Sequence, residues 1–500
     1  MFTTEKEIRR IANLRNISRS VGNPSQGSLL PIIPPPFVIP QIKIPAPPLV
    51  SDPNLPGYSS ALHILPLAFP RASLNSTLRP DRLDPRKTWL PVVDKTDRRE
   101  GLKRIKEEAR TLSREVFWGR EGQGRIKIGQ EDLGGTLKME TRRFVKDGWQ
   151  RRAGGKKGIT LIVGHANGLH YQDWYLPLAK ALSSLPSSLP IEVAEIWFLT
   201  NPLLDPSAGS SFFWSDLGRD VLSFINHYLP LEISLDVPHV LPRRNQPARR
   251  QGVFGVGHSF SGSSFLTAEL EAGGKEGKGI WDGLFLVDAM ILNPNSKVTQ
   301  DLLVEHPPDQ PNRIMTGAIG RRDVWDSIEE CRTSLSTSPF FQQFHPTQFD
   351  SYLTHGICPL NEITGLTTSN NRVTLKHPRW LEAATFADGN WGLVEPWDRL
   401  EKFGHRAGKD CKRVAFVDAG KGGMAGSRAD RELLAGLLAD NPLVHQGRSH
   451  VTSTVIQDSG HLIVQERPIE LAEVLKNFLV DVAEDEQMAR KGFEERLSKL

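Results

Sequence analysis

Apolar residues recur along this chain in two rhythms. Gly158 to Gly164, Gly252 to Val256, Gly283 to Val287 and Arg413 to Val417 are short apolar runs of the kind that form strands buried on both faces. Ile191 to Phe198 and Thr452 to Ile456 read as further strands, and Leu137 to Val145 as one or two early ones. Between them lie stretches with helical spacing. Trp174 to Leu182 is one, and Ile469 to Val482 closes the pattern. Asp216 to Tyr228 is an amphipathic helix, with Leu217, Val221, Leu222 and Ile225 on one side. Strands alternating with helices predict an α/β architecture with a mostly parallel sheet and flanking helices.

Two stretches break the alternation. Residues 1–130 are proline-rich around Pro31 to Pro48, which predicts an extended, largely disordered N-terminal extension. Within it, Leu102, Ile105, Ala109, Leu112 and Val116 form one stripe, so Arg98 to Trp118 reads as an amphipathic helix. Residues 295–405 separate two consecutive strands, an excursion too long for a plain loop. A mostly helical lid is expected there, inserted between late strands. The core is then expected over 131–294 and 406–484, with 485–500 as a charged tail.

Composition narrows the function classes. The chain has 62 basic and 58 acidic residues, mixed along its length, for a net charge of +4. That leaves no nucleic-acid footprint. Cys331, Cys358 and Cys411 are sparse and odd in number, which argues against a disulfide framework and for a reducing compartment. No CxxC or Cys/His cluster suggests a metal. No run approaches the 18 or so apolar residues of a membrane span, and the N-terminus has no apolar signal segment.

The candidate chemistry centres on Gly257-His258-Ser259-Phe260-Ser261-Gly262. A serine hydroxyl needs a neighbouring base and must protrude from the fold to attack a substrate. A sharp strand-to-helix turn with small flanking residues provides this, the logic of G-x-S-x-G. Here Ser261 stands where the second glycine is usual. His461, in Asp458-Ser459-Gly460-His461 after the last strand, is the candidate base. Asp288 and Asp418 each end a strand, and Asp430 lies just beyond the second. All three satisfy the order serine, acid, histidine, and the residues alone do not choose among them. The backbone amides of Phe260 and Asn167, with Ala166 beside it, are candidate oxyanion donors. The final tripeptide Ser498-Lys499-Leu500 matches a peroxisomal import address.

Several motifs together resemble the fungal peroxisomal α/β-hydrolases, a group that includes the yeast peroxisomal lipase and hydrolases of toxin and mycophenolic acid biosynthesis. They are His165-Ala166-Asn167-Gly168, Gly257-His258-Ser259-Phe260, Ser459-Gly460-His461-Leu462 and the terminal Ser-Lys-Leu. Arg219-Asp220-Val221-Leu222, Arg321-Arg322-Asp323-Val324-Trp325 and Lys421 to Gly426 also fit. The likeness covers roughly residues 135–480 and departs at Ser261 and at His170-Tyr171-Gln172. It implies the α/β-hydrolase fold and tips the acid toward Asp288, the position after the strand that follows the nucleophile strand.

The expectation is therefore a serine hydrolase of the peroxisomal matrix that cleaves an acyl ester or acyl-CoA thioester without a metal or organic cofactor. Its partners would be a small-molecule acyl substrate and the import receptor. Two rivals stand beside it. One is a non-catalytic binding protein on the same fold. The other is an epoxide-type hydrolase, which would need a carboxylate where Ser259 stands.

Overall fold

A computed structural model describes residues 46–69, 106–114, 137–150, 155–200, 212–276, 279–297, 311–365, 371–388, 392–403, 413–422, 428–439 and 451–497, and a few isolated positions. Most of the Pro31 to Pro48 stretch lies outside the described residues, as do Leu102, Ile105, Val116, Cys411 and Ser498-Lys499-Leu500.

Nine strands form one sheet: β1 (Val50–Ser51), β2 (Tyr58–Pro66), β3 (Lys138–Lys146), β4 (Lys157–Gly164), β5 (Ile191–Leu199), β6 (Val253–His258), β7 (Gly283–Val287), β11 (Arg413–Ala419) and β12 (Val451–Ile456). Their order is β1-β2-β3-β5-β4-β6-β7-β11-β12. From β5 to β12 every pairing is parallel, while β1, β2, β3 and β5 pair antiparallel. The apolar runs of β4, β6 and β7 are buried on both faces because helices cover both sides. Two apolar clusters result, one on each side of the sheet. The helices include α1 (Tyr175–Ser183), α2 (Trp214–Ser223), α3 (Phe260–Glu276), α4 (Arg313–Gly320), α5 (Arg379–Ala387), α6 (Glu395–Phe403), α7 (Arg428–Ala439) and α8 (Pro468–Leu497). With a serine at the strand-to-helix turn between β6 and α3, this is the α/β-hydrolase fold.

The sheet departs from expectation at its N-terminal side. Tyr58–Pro66 lies within the stretch read as an extension, yet it pairs with β3 along nine residues. Its partner is far away in sequence, so no local turn marks the pair. The chain beyond β2 is anchored too. Arg71 and Asp220 form an ion pair at 2.5 Å, and the amide of Ala68 donates to the same carboxylate. Asp216 lies between Arg71 and Arg219, so four charges share one buried network. Breaking a buried pair of this kind costs about 3–5 kcal/mol. The core therefore begins well before residue 131.

The helix predicted over Asp216 to Tyr228 is buried nearly all round rather than along one side. Its first part is α2, and Phe224–Tyr228 continues it with a wider turn. The charged tail also differs from expectation. Residues 485–497 extend α8 as one helix, because Glu, Gln, Met, Ala, Arg and Lys there favour it. Arg413 reaches Asp481 and Asp485, and Lys157 reaches Glu486, so the extension is tied to the sheet.

The excursion after β7 holds helices and a small antiparallel sheet of β8 (Val324–Trp325), β9 (Ile357–Pro359) and β10 (Val373–Leu375). It is thus less purely helical than the spacing suggested. α6 packs in the main core through Trp397 and Leu400, so the lid proper ends before it. Helix 106–114 lies against this lid: Ala109 and Leu112 pack with Met315, Ala318, Ala383 and Ala387. These two members of the predicted stripe bury on α4 and α5.

Candidate functional site

Register builds the site. Gly164 of β4 pairs with Gly257 of β6, and His258 of β6 pairs with Val287 of β7. Three strands therefore end side by side, and the residues just beyond them share one edge of the sheet. Ser259 is the residue between β6 and α3, with φ of 61°. A non-glycine residue in that region is uncommon and marks a turn held against strain. It exposes the hydroxyl where strand and helix part. Asp288, just past β7, also has positive φ, 35°.

His461 joins them. Its Nδ1 lies 2.6 Å from Oδ2 of Asp288, and its Nε2 lies 2.9 Å from Oγ of Ser259. A carboxylate only accepts, so Nδ1–H donates to Asp288 and Nε2 is left to accept the serine proton. Asp288 is fully buried. Its other oxygen accepts from the amide of Ala419 at 3.3 Å. The two other aspartates are elsewhere engaged. Asp418 pairs with Arg431 at 2.9 Å and accepts from Ser453. Asp430 sits in the first turn of α7, where a negative charge suits the helix N-terminus. Neither is the carboxylate bonded to His461, so the structure separates candidates that chain order left equal.

The loop carrying His461 is itself held. The amide of Gly460 donates to the Glu466 carboxylate at 2.6 Å, and the Ser459 hydroxyl donates to the Gly460 carbonyl. His258 holds it from below. Its Nε2–H donates to the His461 carbonyl at 2.9 Å, and the ring centroids are 5.5 Å apart. Burial pushes His258 down to about 3 and His165 to about 4, so both rings are neutral at working pH. Neither ring then places a positive charge beside His461. Sequence reading missed Glu466 and the role of His258. The second stood inside the quoted motif, one residue before the serine.

The neutrality of His258 has a measurable consequence. In the unfolded chain a histidine takes up a proton below 6.5, whereas the folded one stays neutral until about 3. Wild-type stability therefore loses ~1.4 kcal/mol per pH unit from this residue as pH falls through that window. A His258→Gln variant lacks the loss. Its stability deficit relative to wild type, measured by urea unfolding, should narrow by about 2 kcal/mol between pH 7 and pH 5. A deficit that does not change with pH would mean that the ring is not held neutral.

Ser261 fits where a glycine is usual. Its hydroxyl donates to the His165 carbonyl at 2.6 Å, which ties the elbow to the loop after β4. Space comes from the facing strand, since a Cβ on Gly164 would fall 2.7 Å from that of Ser261. The close approach has moved one residue on. A Cβ on Gly257 would lie 2.7 Å from Cα of Gly262, and one on Gly262 would lie 2.8 Å from Ala289.

The loop after β4 is tied to the elbow through the His165 carbonyl, and Ala166 and Asn167 follow directly. Its hydrogen bonds run from Leu169 to the Ala166 carbonyl and from the Asn167 side chain to the Glu382 carbonyl on α5. Gly168, with φ of 74°, leaves room for the Glu382 carboxylate, which pairs with Arg321. Lid and loop are thereby joined at one point. Gln348 makes a second junction, donating to the carbonyls of Asp173 and Val464 at 2.7 Å each. Phe260 follows the serine and is buried against Phe212 and Trp214, which fixes where its amide lies.

No protein-family model and no curated protein matches this chain. Among solved structures it is similar to a peroxisomal alpha-beta-hydrolase from Saccharomyces cerevisiae, at 15% identity and a TM-score of 0.47, over 73% of this chain and 92% of that one. It is also similar to an E-2-(acetamidomethylene)succinate hydrolase, at 11% identity and 0.40, over 69% and 95%. An esterase of M. tuberculosis gives 14% identity and 0.39, over 68% and 88%.

Proposed function

We propose that this protein is a serine hydrolase that cleaves an acyl ester or acyl-CoA thioester through an acyl-enzyme. One observation carries the reading: the unbroken chain Ser259, His461, Asp288, with contacts of 2.9 and 2.6 Å at a left-handed elbow. His461 Nε2 takes the serine proton as Oγ attacks the acyl carbon. Asp288 holds the tautomer and offsets the imidazolium. The oxyanion forms beside the amides of Phe260 and of Asn167 or Ala166. His461 then returns the proton to the leaving oxygen or sulfur, and the acyl group stays on Ser259. Water attacks that acyl carbon with His461 again as base; His461 then hands that proton to Ser259 Oγ as the Oγ–acyl bond breaks, and the free acid leaves.

The substrate reading rests on the kind of site, a serine under a lid, and on the resemblance of the HANG and GHSF segments to peroxisomal hydrolases. Ser498-Lys499-Leu500 serves as an import address only as a chain terminus. Only if the mature chain ends at Leu500 does the reading extend to the peroxisomal matrix and its import receptor.

The test is rapid mixing of purified protein with p-nitrophenyl esters and acyl-CoA thioesters of graded chain length. The expected result is turnover of at least one class, preceded by a burst of leaving group stoichiometric with protein where deacylation is slower. Absence of turnover and burst across both panels would favour a binding protein instead.

A further inference from the structure

Two carboxylates end neighbouring strands here, and one of them faces His461. Asp288 follows β7 and Asp418 lies near the end of β11, with the Asp288 amide donating to the Val417 carbonyl at 2.7 Å. The Asp288 carboxylate in turn accepts from Ala419. The acid of the site is therefore bracketed by the residues on both sides of Asp418. A second buried negative charge so close disturbs the first unless something neutralises it.

Arg431 on α7 stands at this junction. Its Nε pairs with Asp418 at 2.9 Å, and its Nη2 donates to the Ala289 carbonyl at 3.1 Å. The guanidinium lies over the Phe416 ring, 4.9 Å from its centroid. Its side chain is almost fully buried. Ala289 directly follows Asp288, whose φ is positive. The same turn is sewn to the elbow, since the Met290 amide donates to the Ser259 carbonyl and the Ser263 hydroxyl donates to that of Met290. One side chain thus touches both the charge beside the acid and the turn that aims it.

We propose that Arg431 is a positioning residue for the acid: it neutralises Asp418 and holds the Ala289 carbonyl, so that Asp418 adds no uncompensated negative charge beside Asp288. This deepens the serine-hydrolase reading and rests on it. Among the described residues, the charged and titratable groups around the pair include Arg431 on α7, Asp288 after β7, Asp418 on β11, His258 on β6, His165 after β4, Glu466 bonded to the Gly460 amide, and His461 itself. Burial and Asp288 hold the Asp418 carboxyl above its ordinary range, and Arg431 pulls it back down.

The experiment compares Arg431→Met, Arg431→Lys and the double variant Asp418→Asn/Arg431→Met with wild type. It records kcat, KM and the pH profile of kcat/KM on one hydrolysed ester, with thermal melting alongside. Arg431→Met should lower kcat roughly 10- to 100-fold, as a misaimed acid does, and leave KM little changed. The acidic limb of its profile should move to higher pH, because an unneutralised Asp418 favours the protonated imidazole. Arg431→Lys should return the limb while recovering only part of kcat, since one ammonium cannot serve both contacts with the same geometry. The double variant should also return the limb, with kcat still reduced by the loss of the Ala289 contact. Lower melting temperature with kcat and limb unchanged would overturn the proposal and leave Arg431 merely structural. A limb that stays displaced in the double variant would overturn its electrostatic half. Should Arg431→Met fail to fold, Arg431→Lys against wild type carries the same comparison through its kcat. If wild type itself turns over neither an ester nor an acyl-CoA thioester, it is the serine-hydrolase reading that fails.

Discussion

Ser259→Ala should lower kcat by about a million-fold on any ester the wild type cleaves, with the melting temperature little changed. The size follows from the unit nature of the relay: removing the nucleophile of such a triad removes nearly all of its catalysis, and what remains comes from binding and the oxyanion donors. The fold should tolerate the change. Ser259 sits between strand and helix, and its backbone bonds survive in alanine: its amide donates to Val287, and its carbonyl accepts from Ser263 and Met290. Alanine at φ of 61° keeps the same backbone strain as serine. Steady-state rates with far-UV dichroism on the same sample check both halves. Retention of more than about one-thousandth of wild-type kcat would place the nucleophile elsewhere.

Asp288→Asn should lower kcat by about ten-thousand-fold, because an asparagine amide facing Nδ1 favours the wrong imidazole tautomer. Asp418→Asn is the matched control. It weakens the pair with Arg431 and disturbs a buried charge, so stability should fall. It leaves the hydrogen bond of 2.6 Å between His461 and Asp288 in place, and kcat should fall no more than about tenfold. The difference between two aspartates on neighbouring strands is the point of the comparison. If Asp418→Asn were the more damaging for kcat, the assignment of the acid would be reversed.

Much of this site is legible in the sequence because its parts are local. The apolar run of β6 followed at once by small residues announces the elbow, and Gly257, Ser259 and Gly262 lie within six positions. His461 follows a strand and precedes a helix, so its place at the sheet edge can be read from the chain alone. The acid cannot be read that way. Asp288, Asp418 and Asp430 all have the right order. What distinguishes them is the pairing of His258 with Val287 and the capture of Asp418 by Arg431. Those are contacts between two strands with a long helix between them, or between a strand and a helix whose facing is set by packing. The same limit hides β2. Tyr58–Pro66 sits among prolines that read as a spacer, and its partner β3 begins at Lys138. Tolerance of Ser261 is also invisible from its own neighbourhood, since the room for it comes from Gly164 on another strand.

The central claim is that Ser259 is a nucleophile activated by His461, and covalent trapping tests it most directly. The wild-type protein is incubated with a fluorophosphonate, digested, and its peptides are weighed and sequenced by mass spectrometry. The account predicts one adduct, on Ser259, forming far more slowly in His461→Ala and absent in Ser259→Ala. An unmodified Ser259 in folded wild-type protein, or equal labelling with and without His461, would contradict it.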